Sequence, residues 1–129
     1  MSSSYRNITG TDTANSLSVD SSGSDSVTAL AGNDTVTGSG GNDIISLGSN
    51  NDLATSLGAY TGGSIYGGSG NDTIYSSDAG FAGSIVEAGA DNDSIYFSEV
   101  VGTDSSLSGD AGSDTIQLGD ALNSSSIYG

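Results

Sequence analysis

Cysteine, histidine, tryptophan and proline are all absent from this chain of 129 residues. Without cysteine there are no disulfide staples and no thiolate metal sites. Without histidine, zinc and copper lose their usual nitrogen ligand, which leaves hard, oxygen-seeking cations such as Ca2+. Basic residues are almost missing as well: Arg6 stands alone against sixteen acids, for a formal charge of −15. Nucleic acid and anionic membranes, which call for basic patches, are therefore poor partners. No apolar run is long enough to span a bilayer, so membrane insertion is not expected. The segment Met1-Ser2-Ser3-Ser4-Tyr5-Arg6-Asn7 has no apolar stretch of the Sec signal-peptide kind, and export would use another signal. Apolar residues make up only 33% of the chain. Composition alone would suit a disordered polymer, because little apolar surface is available to offset the entropy of ordering.

Periodicity argues for order. Asp25, Asp34, Asp43 and Asp52 lie nine residues apart, and each precedes by two a small or apolar residue: Val27, Val36, Ile45 and Ala54. A Gly-, Asn- and Ser-rich stretch lies upstream of each acid, giving a repeat of turn, acid and short strand. Apolar markers continue from end to end: Ile8, Leu17, Val27, Val36, Ile45, Ala54, Ile65, Ile74, Ile85, Ile95, Leu107, Ile116 and Ile127. Their spacings of 9 to 12 residues fit neither a helix nor one long strand. Short strands joined by turns account for them, with two such units per coil. The coils run to about 18 residues in the first half and 20 to 22 in the second.

The expected architecture is all-β: a parallel β-solenoid of about six coils, 18–22 residues each, with two short strands per coil. Residues 20–55 form its regular nonapeptide part, and 56–129 form longer coils with loops on one side at 55–63, 76–83, 97–105 and 118–125. The whole reads as one segment, and it is expected to continue beyond 129. In Ser64-Ile65-Tyr66 and Thr73-Ile74-Tyr75 the middle residue should point inward and its neighbours outward. One substantial side chain per strand would then enter a thin core. Tyr66, Tyr75, Tyr96 and Tyr128 should face out, as an aromatic ladder steadying the sheet or as a contact stripe. Phe81, Phe97, Val100 and Val101 fall in the long loops, where they would cover the roll or touch a partner. The sequons at Asn7, Asn33, Asn71, Asn92 and Asn123 read as by-products of the repeat.

The acids sort into two columns. One holds Asp34, Asp52, Asp72, Asp93 and Asp114; the other holds Asp25 and Asp43 and then gives way to the longer loops. Stacked coils bring neighbouring carboxylates to roughly 5 Å, where each pair repels by up to about 3 kcal/mol at an effective dielectric near 20. Several such pairs rival the total stability of a small domain, roughly 5–15 kcal/mol. A divalent cation converts that penalty into a ligand set. The competing reading is that the Asn-Asp pairs only form Asx-turns with their own backbone.

Gly67-Gly68-Ser69-Gly70-Asn71-Asp72-Thr73-Ile74-Tyr75 fits every defined position of the nonapeptide G-G-x-G-x-D-x-U-x, with U apolar. Gly38-Ser39-Gly40-Gly41-Asn42-Asp43-Ile44-Ile45-Ser46 lacks the second glycine, and the fourth position is Asn50 before Asp52 and Asp91 before Asp93. On these motifs the stretch 20–55, and more loosely the short turns through 117, resembles the RTX (repeats-in-toxin) β-roll family. The resemblance implies Ca2+ held between successive coils by aspartate carboxylates and turn carbonyls, with Asp25, Asp34, Asp43, Asp52, Asp72, Asp93 and Asp114 as the metal residues. Bulkier residues at the glycine positions put individual sites in question, because they must adopt glycine-like backbone angles.

The function expected from this is a calcium-binding structural surface protein: a surface-layer subunit, an adhesin stalk or an extracellular filament module. RTX-like proteins commonly leave the cell by type I secretion, so an extracellular or cell-surface location is implied. A phage fibre or decoration protein in a virion, and the RTX module of a secreted enzyme or toxin, remain alternatives. Enzymatic activity is not expected, since His, Cys and Lys are absent and the acids follow structural spacing. The strand-like segment Ser126-Ile127-Tyr128 shows no cap after it, so self-association or docking through uncapped solenoid ends, on a cell-surface or capsid partner, is also expected.

Overall fold

In the computed structural model the described residues are 5–21, 23–38, 40–55, 57–58, 61–77, 81–98, 102–119 and 124–129. Val100, Val101 and Asn123, singled out above, lie outside them. Among the described residues thirteen short strands alternate between two sheets, and every pairing is parallel. The first sheet stacks β1 (Tyr5–Thr9), β3 (Ser24–Thr28), β5 (Ile44–Ser49), β7 (Ser64–Ser69), β9 (Ile85–Ala90), β11 (Ser106–Ala111) and β13 (Ser126–Tyr128) in chain order. The second stacks β2 (Ser16–Ser18), β4 (Thr35–Thr37), β6 (Leu53–Thr55), β8 (Thr73–Ser76), β10 (Ser94–Phe97) and β12 (Thr115–Leu118). Among the described residues there is no helix. This is the parallel β-solenoid, wound at two strands per coil.

Strand register lines the apolar markers into two facing columns. In the first sheet Val27, Ile45, Ile65, Val86 and Leu107 stack on one another. In the second, Leu17, Val36, Ala54, Ile74, Ile95 and Ile116 do the same. Nearly all are fully buried, each inward Ile or Leu contributing about 1.5–3 kcal/mol of apolar burial.

Three expectations need correction here. Val86, not Ile85, carries the core position of β9: it pairs with Ile65 and Leu107, while Ile85 faces out beside Ser64 and Ser106 and is 40% exposed. Two adjacent aliphatic residues make either register possible locally, and a shift of one residue turns every side chain to the other face. The neighbouring coils decide the choice. Nor is the core limited to one side chain per strand. Two residues beyond the marker a second position turns inward, filled by Ala29, Leu47 and Ala88 in the first sheet and by Ser76 and Phe97 in the second. Phe81 and Phe97 are core residues, not covers: they meet edge to face at 4.4 Å and are almost completely buried, with Leu57 also fully buried. The wider coils thus exchange turn economy for a larger apolar interior.

The tyrosines behave as expected. Tyr75 and Tyr96 pair across β8 and β10 on the outer face and stack with ring centroids 5.3 Å apart. Tyr66 lies on the outer face of β7, and Tyr128 is 60% exposed.

Candidate metal centre: the aspartate columns

In D-x-U-x the alternation of a strand places the acid on the same face as the apolar residue two positions later. The consequence is that the aspartates point into the roll. Asp25, Asp34, Asp43, Asp52, Asp72 and Asp93 are all buried, and Asp114 is half-buried near the last coil. The structure brings them together in the two columns expected from sequence, one rung per coil.

Each rung is tied to the next by the same bond. The backbone N–H of Asp34 donates to Oδ1 of Asp52 at 2.7 Å, Asp52 to Asp72 at 2.8 Å, Asp72 to Asp93 at 2.7 Å and Asp93 to Asp114 at 2.9 Å. In the other column Asp25 N–H donates to Oδ1 of Asp43 at 2.8 Å. One oxygen of each carboxylate is thereby satisfied. The other is not: Oδ2 of Asp34, Asp52, Asp72 and Asp93 is buried with no hydrogen-bond partner. A buried carboxylate oxygen left alone costs several kcal/mol unless a proton or a cation meets it.

The electrostatics agree with that geometry. Burial pushes the Asp72 carboxyl up to about 7 from its ordinary 3.8; the Asp52 N–H opposes the rise, and Asp52, Asp93 and Asp91 add to it. Burial also raises Asp52, against the N–H of Asp34 and with the charge of Asp34. Asp93 is raised chiefly by burial, with Asp114, Asp91 and Asp110 contributing. Uncompensated negative charge accumulates along the column.

A second ladder, of asparagines, runs alongside and in the opposite sense. Asn33 Oδ1 accepts from Asn51 N–H, Asn51 from Asn71, Asn71 from Asn92 and Asn92 from Ser113, at 2.9–3.3 Å. These neutral bonds staple the turns without any metal. They engage the amide oxygens of Asn33, Asn71 and Asn92, three of the sequon residues.

The turns adopt the glycine-like angles even where glycine is missing. Gly48, Gly68 and Gly89 stack at φ 112–114°, and the same place is taken by Leu30 at 84° and Asp110 at 70°. The fourth position alternates Gly32, Asn50, Gly70, Asp91 and Gly112, with Asn50 at 82° and Asp91 at 86°. A Cβ at Gly68 would meet the Gly48 carbonyl oxygen, so at this coil the neighbouring carbonyl passes through space that a side chain would fill. Asn50 and Asp91 instead use their side chains, which accept the N–H of Gly32 and Gly70.

The residues present fit a hard divalent cation. Among the described residues no three carboxylates converge on one point. Each ion would therefore take carboxylate oxygen from the columns and the rest of its six to eight ligands from turn carbonyls.

The first-sheet column changes character after Asp43. Strand register puts Gly63, Ser84 and Ser105 at its successive positions. Ser105 Oγ donates to the Phe81 carbonyl at 2.8 Å, and Ser125 Oγ to the Gly102 carbonyl at 2.7 Å. Ser84 N–H and Ser105 N–H donate in turn to the hydroxyls of Ser105 and Ser125. Neutral hydroxyls here do what the carboxylates do elsewhere, with no charge to neutralise. Sequence reasoning missed this ladder; its trace is the Ser that follows Gly83 and Asp104.

Comparison with known proteins agrees with the geometry. The RTX calcium-binding nonapeptide repeat, in four copies, matches residues 19–54, 64–79 and 102–121, together more than half of the chain. No curated protein and no solved structure matches. With its repeat matched over most of the turns that carry the buried aspartates, the chain belongs to the RTX calcium-binding nonapeptide repeat family and is a Ca2+-binding β-roll.

Proposed function

We propose that this β-roll is a structural module of an extracellular, cell-surface protein, such as a surface layer, an adhesin stalk or a filament, whose second-sheet turns are locked by Ca2+. The ions would lie between the rungs Asp34, Asp52, Asp72, Asp93 and Asp114, with a further site at Asp43 in the first-sheet column. The observation that carries this reading is the line of buried Oδ2 atoms on Asp34, Asp52, Asp72 and Asp93, each lacking a partner at the same place in successive coils. A repeated ligand set of this kind stiffens a rod along its length. The outer faces carry Ser, Thr and Tyr in rows and suit contact with neighbours more than chemistry, so a catalytic role is not proposed. Self-association with further copies of the roll is proposed as well.

Circular dichroism during chelation and calcium re-addition tests the central claim. Calcium should raise the melting temperature by ten degrees or more and sharpen the transition, because binding to the folded state alone adds stability by mass action. A melting curve indifferent to both chelator and calcium would refute it. Sedimentation of the calcium-loaded protein tests association: concentration-dependent growth supports it, and a monomer at every concentration rejects it.

A further inference from the structure

The only base of the chain sits at an aspartate position. Arg6-x-Ile8 aligns with Asp25-x-Val27 and Asp43-x-Ile45, and β1 pairs with β3 so that Arg6 lies opposite Asp25 and Ile8 opposite Val27. Arg6 is therefore the opening rung of the first-sheet column. Its guanidinium grips Asp25 with both arms: Nε donates to Oδ1 at 3.3 Å and Nη2 to Oδ2 at 2.9 Å. Nη1 reaches Asp20 at 3.1 Å.

The contrast with the other column is direct. Asp34, Asp52, Asp72 and Asp93 each keep one oxygen without a partner, whereas both oxygens of Asp25 are engaged by one planar cation. The second-sheet column also opens on a residue that is not an acid, Asn15, whose N–H donates to Asp34 Oδ1 at 2.6 Å. Asn15 supplies the N–H of a rung but no charge, so Oδ2 of Asp34 stays open. Arg6 supplies the charge. A fork that matches a carboxylate in two places holds one geometry, which a hydrated lysine ammonium does not.

We propose that Arg6 is a built-in counter-ion, taking at the first rung the place that Ca2+ takes at the others, so that the β1–β3 pairing closes without metal. The first two coils of this sheet would then stay ordered when calcium is removed, offering a template on which later coils assemble as the ion returns. The calcium arm of the test rests on the function proposed above; the metal-free arm does not.

Hydrogen exchange on the full chain, as wild type, Arg6→Gln and Arg6→Lys, each in chelator and in calcium, decides the matter. In chelator the wild-type amides of Tyr5–Thr9 and Ser24–Thr28 should stay protected while those of Asp52, Asp72 and Asp93 exchange at least tenfold faster than in calcium. Arg6→Gln should speed exchange in the two strands at least tenfold, Arg6→Lys should fall between, and calcium should restore protection to Arg6→Gln as the ion enters the vacated place. Equal exchange in Arg6→Gln and wild type overturns the proposal. So does a loss in Arg6→Gln that calcium leaves unchanged, which would make Arg6 an ordinary surface ion pair. If calcium leaves Asp52, Asp72 and Asp93 unprotected in the wild type, the calcium reading fails, and the chelator arm still judges Arg6: strands equally labile in all three proteins would reject it.

Discussion

At the residue scale, Asp72 concentrates the conflict between burial and charge. Its Oδ1 holds the Asp52 N–H and its Oδ2 is buried without a partner, between two more acids of the same column. Asn at this position keeps the acceptor and removes the charge. In chelator at pH 8, Asp72→Asn should therefore be more stable than wild type, by about 1–2 kcal/mol after allowing for solvent screening. In calcium the order should invert, with a lower melting temperature and at least tenfold weaker binding, read by calorimetry. Destabilisation of the same size in both conditions would mean that the carboxylate serves only as a turn former. The same scale shows where sequence reading stops. D-x-U spacing identified every acid of the columns, but Gly-x-Gly chemistry could not say that Leu30, Asn50, Asp91 and Asp110 would accept glycine's angles. The stacking of coils imposes those angles from outside.

At the element scale, the strands fall into two populations. The nonapeptide strands β3 to β6 close over Val, Ile, Leu and Ala between short turns, and their stability depends on those turns. From β7 onward the first-sheet column loses its acids, gains the serine hydroxyl ladder and lies beside the buried pair Phe81 and Phe97. Phe97→Ala should cost about 3–5 kcal/mol, because a buried aromatic leaves a cavity that stiff strands do not collapse to fill. That loss should be nearly equal in chelator and in calcium, as measured by denaturant unfolding; a cost seen only in calcium would mean the Phe pair serves the metal turns. Here the sequence was ambiguous in a specific way. Phe97 and Phe81 sit beside loop-like stretches, so local pattern placed them outside. Their burial follows from the width that the longer connections give the later coils.

At the scale of the whole molecule, net charge makes the roll a linked system. The folded pKa of Asp72 lies above its ordinary value, near 7 against 3.8, so without metal this group favours folding fully below about pH 4. Its contribution is lost as pH rises through 7, and Asp52 and Asp93 shift in the same direction. The chelated protein should melt at a higher temperature at pH 5 than at pH 8. Calcium, which needs the ionised carboxylates, should reverse the slope, so that the loaded protein is more stable at pH 8. Parallel pH profiles in the two conditions would show that ion and proton do not compete for the same oxygens.

The sequence by itself determined the solenoid, the number of strands per coil and the membership of both aspartate columns, because a period enforced by backbone stacking must be written into every coil. The tertiary structure alone decided the register of β9, the second inward row of side chains, the neutral asparagine and serine ladders, and the place of Arg6 on Asp25. Each of those depends on what lies about 4.8 Å away in the next coil, and that neighbour is some twenty residues distant along the chain.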